Sequence, residues 1–246
     1  MNGTVHMILG ATGGIGSALA RQLKESGAQL VLAARGEERL SALAAELGAT
    51  AVTLDARSFD AVRDAAKAAK SEFGRLDGIV NSVGSFLLKP AHATTEEELA
   101  ESLDQNVKTA FAAVRAAAQT MRGAGGSVVL ISSAAARVGL RNHEAIGAAK
   151  GAVEGLALAA AATYAGGGIR INVVAPGLTK TPLVARVTAN EASLNASAAM
   201  HPLGRVGEPE DIARAIAWFL DPAQSWVTGQ VLGVDGGLSR VRPAKG

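Results

Sequence analysis

Apolar positions recur along this chain in two alternating periods. Short, almost wholly apolar runs read as buried strands, and longer stretches with apolar residues three and four apart read as amphipathic helices. The first run, Val5 to Leu9, stops at Gly10; Ile15, Leu19 and Leu23 then fall at i, i+4 and i+8 on one helical face. The pairing repeats to the end of the chain. Strands are predicted at Gln29–Ala33, Thr50–Leu54, Gly78–Val80 (ending at Asn81), Ser127–Ile131, Ile169–Val174 and Val231–Val234. Helices are predicted at 37–47, 58–73, 95–121, 145–165 and 210–220, the last entered through Pro209. In the 58–73 helix Phe59, Val62, Ala66 and Ala69 share a face. Thr94 or Thr95 with Glu97 or Glu98 three residues on makes a capping box for the 95–121 region.

Strands alternating with helices of this length require right-handed crossovers, hence a parallel sheet covered on both faces. The expected fold class is α/β, a doubly wound sheet in a single domain spanning 1–246. No linker, charge block or internal repeat divides the chain. Hydrophobic residues make up 48% but aromatics only 3%, so the core must be built from Ala, Val, Leu and Ile. A net charge of +2 with no basic run implies no nucleic-acid or anionic-membrane partner. The absence of cysteine excludes disulfides and thiolate metal sites, and no metal is expected. Val5–Leu9 is too short for a signal peptide and lacks a basic flank. No apolar run is read as a membrane span, since the Ala-rich 145–165 segment carries Lys150 and Glu154. The expected location is therefore the cytoplasm.

In such a sheet the ligand lies outside the carboxyl ends of the strands, where strand order reverses. That rule selects 10–16, Arg35, Asp55, 81–84, 132–133 and 176–181. Gly10, Gly14 and Gly16, spaced G-x-x-x-G-x-G, remove side chains where a pyrophosphate would approach backbone N–H groups at a helix N-terminus. A flexible turn would use the same glycines; the flanking strand and helix favour nucleotide binding.

With those positions aligned, the chain resembles the short-chain dehydrogenase/reductase family over essentially its whole length. The matching segments are GATGGIG at 10–16, LDA at 54–56, NSVG at 81–84, Asn106, ISS at 131–133, Lys150, NVVAPG at 172–177 and TGQVLGVDGG at 228–237. The resemblance implies a seven-stranded Rossmann-type sheet, a nicotinamide dinucleotide, a small-molecule substrate and a homotetramer. It implies that Gly10, Thr12, Gly14, Ile15 and Gly16 cradle the pyrophosphate. Asp55 and Ala56 would lie beside the adenine, Asn81 to Gly84 against the ribose, and Pro176, Gly177 and Thr181 at the nicotinamide carboxamide. After the second predicted strand comes Arg35, with no acid before Glu37, which favours NADP through pairing with a 2′-phosphate. NAD stays open if Arg35 is merely solvated, and Gly13 stands where many NADP-preferring relatives carry a second basic residue.

The family's reacting set is Asn, Ser, Tyr and Lys. Counting four back from Lys150 and thirteen on from Ser133 both reach Ile146, so the tyrosine is absent; Tyr164 lies far along the helix. Isoleucine donates no proton. Ser133 remains to polarise a substrate oxygen, Lys150 to bond ribose hydroxyls and Asn106 to order a water, with Ser132 the weaker serine. His143, seven before Lys150, is a candidate proton donor at the spacing of the enoyl-acyl-carrier-protein reductase branch. The 183–200 segment reads as a mobile flap or a plain amphipathic helix, and with Val138, Leu140 and Ile146 it points to an uncharged or hydrophobic substrate. Two functions follow. One is an NADP-preferring oxidoreductase acting on a carbonyl or activated double bond with a non-standard proton donor. The other is a catalytically inactive dinucleotide-binding regulatory or assembly protein.

Overall fold

Every predicted apolar run pairs edge to edge with another. The strands are β1 (Val5–Leu9), β2 (Gln29–Ala34), β3 (Thr50–Thr53), β4 (Gly78–Asn81), β5 (Gly126–Ile131), β6 (Ile169–Pro176) and β7 (Val231–Val234). In the computed structural model, which describes residues 1–242, they form one parallel sheet in the order β3-β2-β1-β4-β5-β6-β7. Residues 243–246, the last of the predicted domain, lie outside the described residues. Strand order reverses between β1 and β4, so a crevice opens at their carboxyl ends.

Two-residue periodicity sorts side chains to the two faces. Val5, Met7 and Leu9 of β1 join Val128, Leu130, Ile171 and Val173 in a core under α3 (Phe59–Phe73), α5 (Thr109–Thr120) and α6 (Glu144–Tyr164). Ile8, Val80, Val129 and Val174 face the other layer, α1 (Gly14–Glu25), α2 (Glu37–Leu47) and α9 (Pro209–Leu220). The predicted small-residue core is realised on α5, where Ala110, Ala112, Ala113, Ala116 and Ala117 are buried and let the helix lie close to the sheet.

Departures from the predicted elements are local. The 95–121 helix is three pieces: α4 (Glu96–Leu103), a π turn at Asp104–Lys108, and α5. Thr95 and Glu98 form the capping box of α4. Ser58 is the cap of α3 rather than part of it, and Leu54 follows β3. The 183–200 segment is α7 (Ala185–Thr188) and α8 (Glu191–Met200), with the Asn190 side chain accepting from Ser193 N between them. One sequence reading needs correction. The 144–167 segment is long and apolar enough to cross a membrane by length and composition. Its apolar side chains Val153, Ala157, Ala160 and Ala161 are instead packed in the α3–α5–α6 core.

One polar residue of β1 is buried with them. His6 is fully buried, its Nε2 2.8 Å from Thr4 Oγ1, and Thr4 itself donates to Met1 O, so His6 donates here. Its Nδ1 has no partner among the described residues. Gly78 lies against that ring and has no room for a Cβ. Burial holds the imidazole at about 4, below its usual 6.5. An unfolded His6 takes a proton below about pH 6.5 and the folded one does not, so stability is present above that pH and lost as pH falls toward 4. The loss expected from this group alone is about 3 kcal/mol. Urea denaturation at pH 7.5 and 4.5 tests this: His6→Val should lose less stability on acidification than the wild type, and an identical loss would clear His6 of the effect.

Candidate active site

At the strand reversal the turn after β1 is held open by backbone geometry. Gly10 has φ +77°, and a Cβ there would sit 2.9 Å from Val83 N and 3.0 Å from Ser82 Oγ. Ser82 Oγ donates to Leu9 O at 2.8 Å, tying the end of β4 to the end of β1. Helix α1 then starts after Gly13 with no side-chain cap. Its first-turn N–H groups are therefore left for an external acceptor, beside the positive end of the helix dipole.

A cleft of about 400 Å³ opens on this turn. Of the residues selected from sequence, Gly10, Thr12, Gly14, Ile15, Gly16, Arg35, Asp55, Ala56, Gly84 and Thr181 line it. Val83 of the selected 81–84 segment and Leu183 of the predicted flap line it too, as do Arg39 and Gln105, which sequence reasoning does not find. For Arg39 a signal exists: it lies four residues after Arg35, in the first turn of α2, so both guanidinium groups reach one end of the cleft. Asp55 faces them but is engaged. Arg57 donates to it at 2.7 Å and holds its carboxyl below the usual range. At the other end Thr181 closes on the glycine turn, its Cγ2 2.8 Å from where a Gly14 Cβ would stand.

Some selected residues lie elsewhere. Asn81 is buried, its Nδ2 donating to Thr109 Oγ1 at 3.0 Å, and it braces β4 against α5. Pro176 is the buried end of β6. Gly177 lines a neighbouring cavity of about 390 Å³ with His201, Arg205 and Asp235 rather than the cleft.

The reacting candidates gather behind Gly84. A Cβ on Gly84 would stand 2.8 Å from Asn106 Oδ1 and 3.2 Å from Lys150 Nζ, so only glycine lets these two groups pack directly against the loop that lines the cleft. The π turn carries Asn106, and its amide is spent on the loop: Nδ2 donates to Ser85 Oγ (2.9 Å) and Ser102 O (2.8 Å). Lys150 is 7% exposed and donates to Ile131 O at 2.9 Å. Burial pushes its ammonium down to about 8. Ser133 follows β5; its Oγ accepts from Ala135 N at 3.1 Å, which leaves its O–H free to donate. Ser132 is buried and donates to Glu154 Oε1 at 2.8 Å, a brace between β5 and α6.

Ile146 is one turn ahead of Lys150 and 3% exposed, presenting only hydrocarbon. His143 does not line the cleft. It is the residue before the first turn of α6, with φ −113°, outside the helical face that sequence spacing assigns it. Its Nδ1 donates to Arg141 O at 2.8 Å, and its ring meets Phe86 edge-on with centroids 5.9 Å apart. Tyr164 ends α6, partly buried against the core.

Comparison with known proteins agrees with this geometry. A family model described as Enoyl-(Acyl carrier protein) reductase matches residues 10–239. The cis-4-hydroxycyclohexanecarboxylate dehydrogenase of Sinomonas cyclohexanicum is 37% identical over 243 residues, covering 96% of this chain and 97% of that one. A short-chain type dehydrogenase/reductase from Mycobacterium ulcerans superposes with a TM-score of 0.93 at 33% identity, over 97% of this chain and 90% of the other. A variant of the actinorhodin polyketide ketoreductase with NADPH gives a TM-score of 0.89 at 29% identity, over 97% and 98%. A glycine turn at the strand reversal, a serine after β5, a buried lysine on α6 and this likeness along nearly the whole length lead to one conclusion: the chain belongs to the short-chain dehydrogenase/reductase family.

Proposed function

We propose that the protein is an NADP-dependent oxidoreductase that interconverts a cyclic ketone, or a related activated double bond, and its reduced product. The observation carrying the cofactor choice is the pair Arg35 and Arg39 on a cleft whose nearest acid, Asp55, is already neutralised by Arg57. Two guanidinium groups pair with a 2′-phosphate and gain little from a bare 2′-hydroxyl. Arg39 thus supplies the second cation that Gly13 does not. The structural relative with NADPH supports the same choice. The alicyclic substrate class is supported by the cyclohexanecarboxylate dehydrogenase relative and by the apolar Leu183 at the edge of the cleft.

The residues present fit such a cofactor. Gly10 and Gly16 remove the side chains that would fill the cradle, and the α1 N-terminus offers free N–H groups to a pyrophosphate. When bound, the reduced nicotinamide supplies hydride. The chain's own part is to polarise and to protonate: Ser133 donates to the substrate oxygen, Asn106 fixes the 84–85 loop, and Lys150 holds the ribose end. With Ile146 where the family has tyrosine, the proton comes from His143 or from Lys150. The non-catalytic alternative rests on Ile146 alone and leaves the free Ser133 hydroxyl and the buried Lys150 without a use. A cytoplasmic homotetramer is part of the proposal; the apolar side chains left exposed at Leu158, Phe111 and Trp226 support association.

NADPH fluorescence titration should show Kd rising about tenfold in Arg35→Ala and in Arg39→Ala, as expected for loss of a charge-assisted contact worth about 1.5 kcal/mol. NADH affinity should change less than twofold; equal losses for both would show that the 2′-phosphate is not read there. In an NADPH-oxidation screen over cyclohexanone, cyclohexenone and a cyclic imine, at least one should turn over. Ser133→Ala should cut that kcat by about a hundredfold while NADPH binding stays unchanged. Unchanged turnover would remove Ser133 from the mechanism.

A further inference from the structure

We infer that His201 is a positioning residue for the dinucleotide: its neutral imidazole ties the end of α8 to Leu178 and so holds Thr181, Pro182 and Leu183 against the cleft. The inference rests on the dinucleotide-binding reading above. The segment leaving β6 carries those three residues to the cleft, where Thr181 closes on the glycine turn at Gly14, and then runs through α7 and α8 back to His201. At the base of this excursion one ring meets both of its ends. Leu178 N donates to His201 Nε2 at 3.3 Å, and His201 Nδ1 lies 2.7 Å from Ser197 O. The ring is 3% exposed and lines the cavity of about 390 Å³ beside Gly177, where a Cβ would come within 2.6 Å of Nε2. Only glycine at 177 lets the imidazole lie against the Leu178 amide.

The two contacts together select one protonation state. A backbone N–H can only donate, and a carbonyl can only accept. Nε2 must therefore keep its lone pair for Leu178, and Nδ1 must carry the hydrogen that goes to Ser197 O. A proton added at Nε2 would set N–H against N–H and open the clasp at Leu178. Falling pH thus weakens the tie, and rising pH restores it.

The charged groups around the ring are committed elsewhere. Asp235, just after β7, accepts from Gly237 N and from Ser239. Arg205, in the turn after α8, and Arg214 of α9 both donate to Asp211. Lys180 donates to Glu208. Arg186 of α7 and Arg240 are exposed, and Glu191 lies at the far end of α8. The loop after β6 has a second tie, Gly207 N donating to Leu178 O and Lys180 N to Gly207 O. Losing the ring therefore loosens the segment without releasing it.

The test is calorimetric titration with NADP of wild type, His201→Gln and His201→Leu at pH 7.5 and 5.5, across the range in which imidazoles take up a proton. Glutamine keeps an acceptor for Leu178 N–H and does not titrate, whereas leucine removes both bonds. At pH 7.5 His201→Gln should bind within twofold of wild type and His201→Leu about fivefold more weakly, as for the loss of neutral hydrogen bonds. Acidification should weaken binding to wild type at least threefold more than binding to His201→Gln. The titration of the cofactor's own 2′-phosphate is common to both proteins and cancels. Two readouts need no cofactor. Ring ¹⁵N–¹H correlation spectra should show His201 as the Nδ1–H tautomer at pH 7.5, and the Leu178 amide should exchange hydrogen at least fivefold faster in His201→Leu than in wild type. Equal pH dependence in wild type and His201→Gln, an Nε2–H tautomer, or unchanged Leu178 exchange in His201→Leu would each overturn the clasp. Should the leucine variant not fold, the glutamine comparison and the tautomer decide it. Failure of wild type to take up NADP would instead overturn the function on which the inference rests, with the tautomer and the exchange rate still judging the clasp itself.

Discussion

Where β1 and β4 end side by side, the chain from one strand turns away from the chain leaving the other, and the two backbones touch at Gly10 and Ser82–Val83. That close approach sets the geometry of the crevice. With no Cβ at Gly10, Ser82 can bond Leu9 O and draw the 82–84 loop under the glycine turn. A side chain at Gly10 would push the loop outward by about its own bulk. Gly84 would move with it, away from Asn106 and Lys150. The cleft and the Asn106 and Lys150 side chains packed behind Gly84 therefore share one constraint, a backbone contact that only glycine permits.

A second feature gives the site its character. Lys150 is buried without a carboxylate partner among the described residues, an arrangement that stability alone disfavours. It is held there by the approach of α6 to β5: Ser132 donates to Glu154 one turn on, and Gly147 sits against Ala135 O with no room to spare. Packed between Ile146 on the same helix and the Gly84 backbone, the ammonium has few polar outlets. The environment that weakens its hold on a proton is thus made of helix packing and hydrocarbon, not of opposing charge.

Much of this is legible in the residues. The periodicity of Val5–Leu9 and of Leu19 and Leu23 gives strand and helix because burial rewards one face and solvent the other. The seven strands follow with ends shifted by a residue or so. The glycines at 10, 14 and 16, Arg35, and the spacing that puts Ile146 before Lys150 are equally plain. The π turn at Asp104–Lys108 is not, because one extra residue in a helix leaves no mark on apolar spacing. Nor is the side-chain state of Asn81, which the strand-end rule brings to the ligand but which spends its amide on Thr109. Gly177 follows the same logic, facing the His201 cavity across a turn whose direction no local pattern encodes.

By itself the sequence determined the sheet-and-helix alternation, the phosphate-sized turn and the absence of a phenol next to Lys150, since each depends on residue type and spacing within a few turns of chain. Tertiary structure alone decided which of those residues meet. It brought Arg39 beside Arg35, closed Thr181 onto Gly14, turned His143 out of the helix toward Arg141, and left Lys150 facing Gly84 from far along the chain. The physical reason is that proximity across a parallel sheet is set by crossover packing and strand order, which many distant side chains fix together and no single stretch contains.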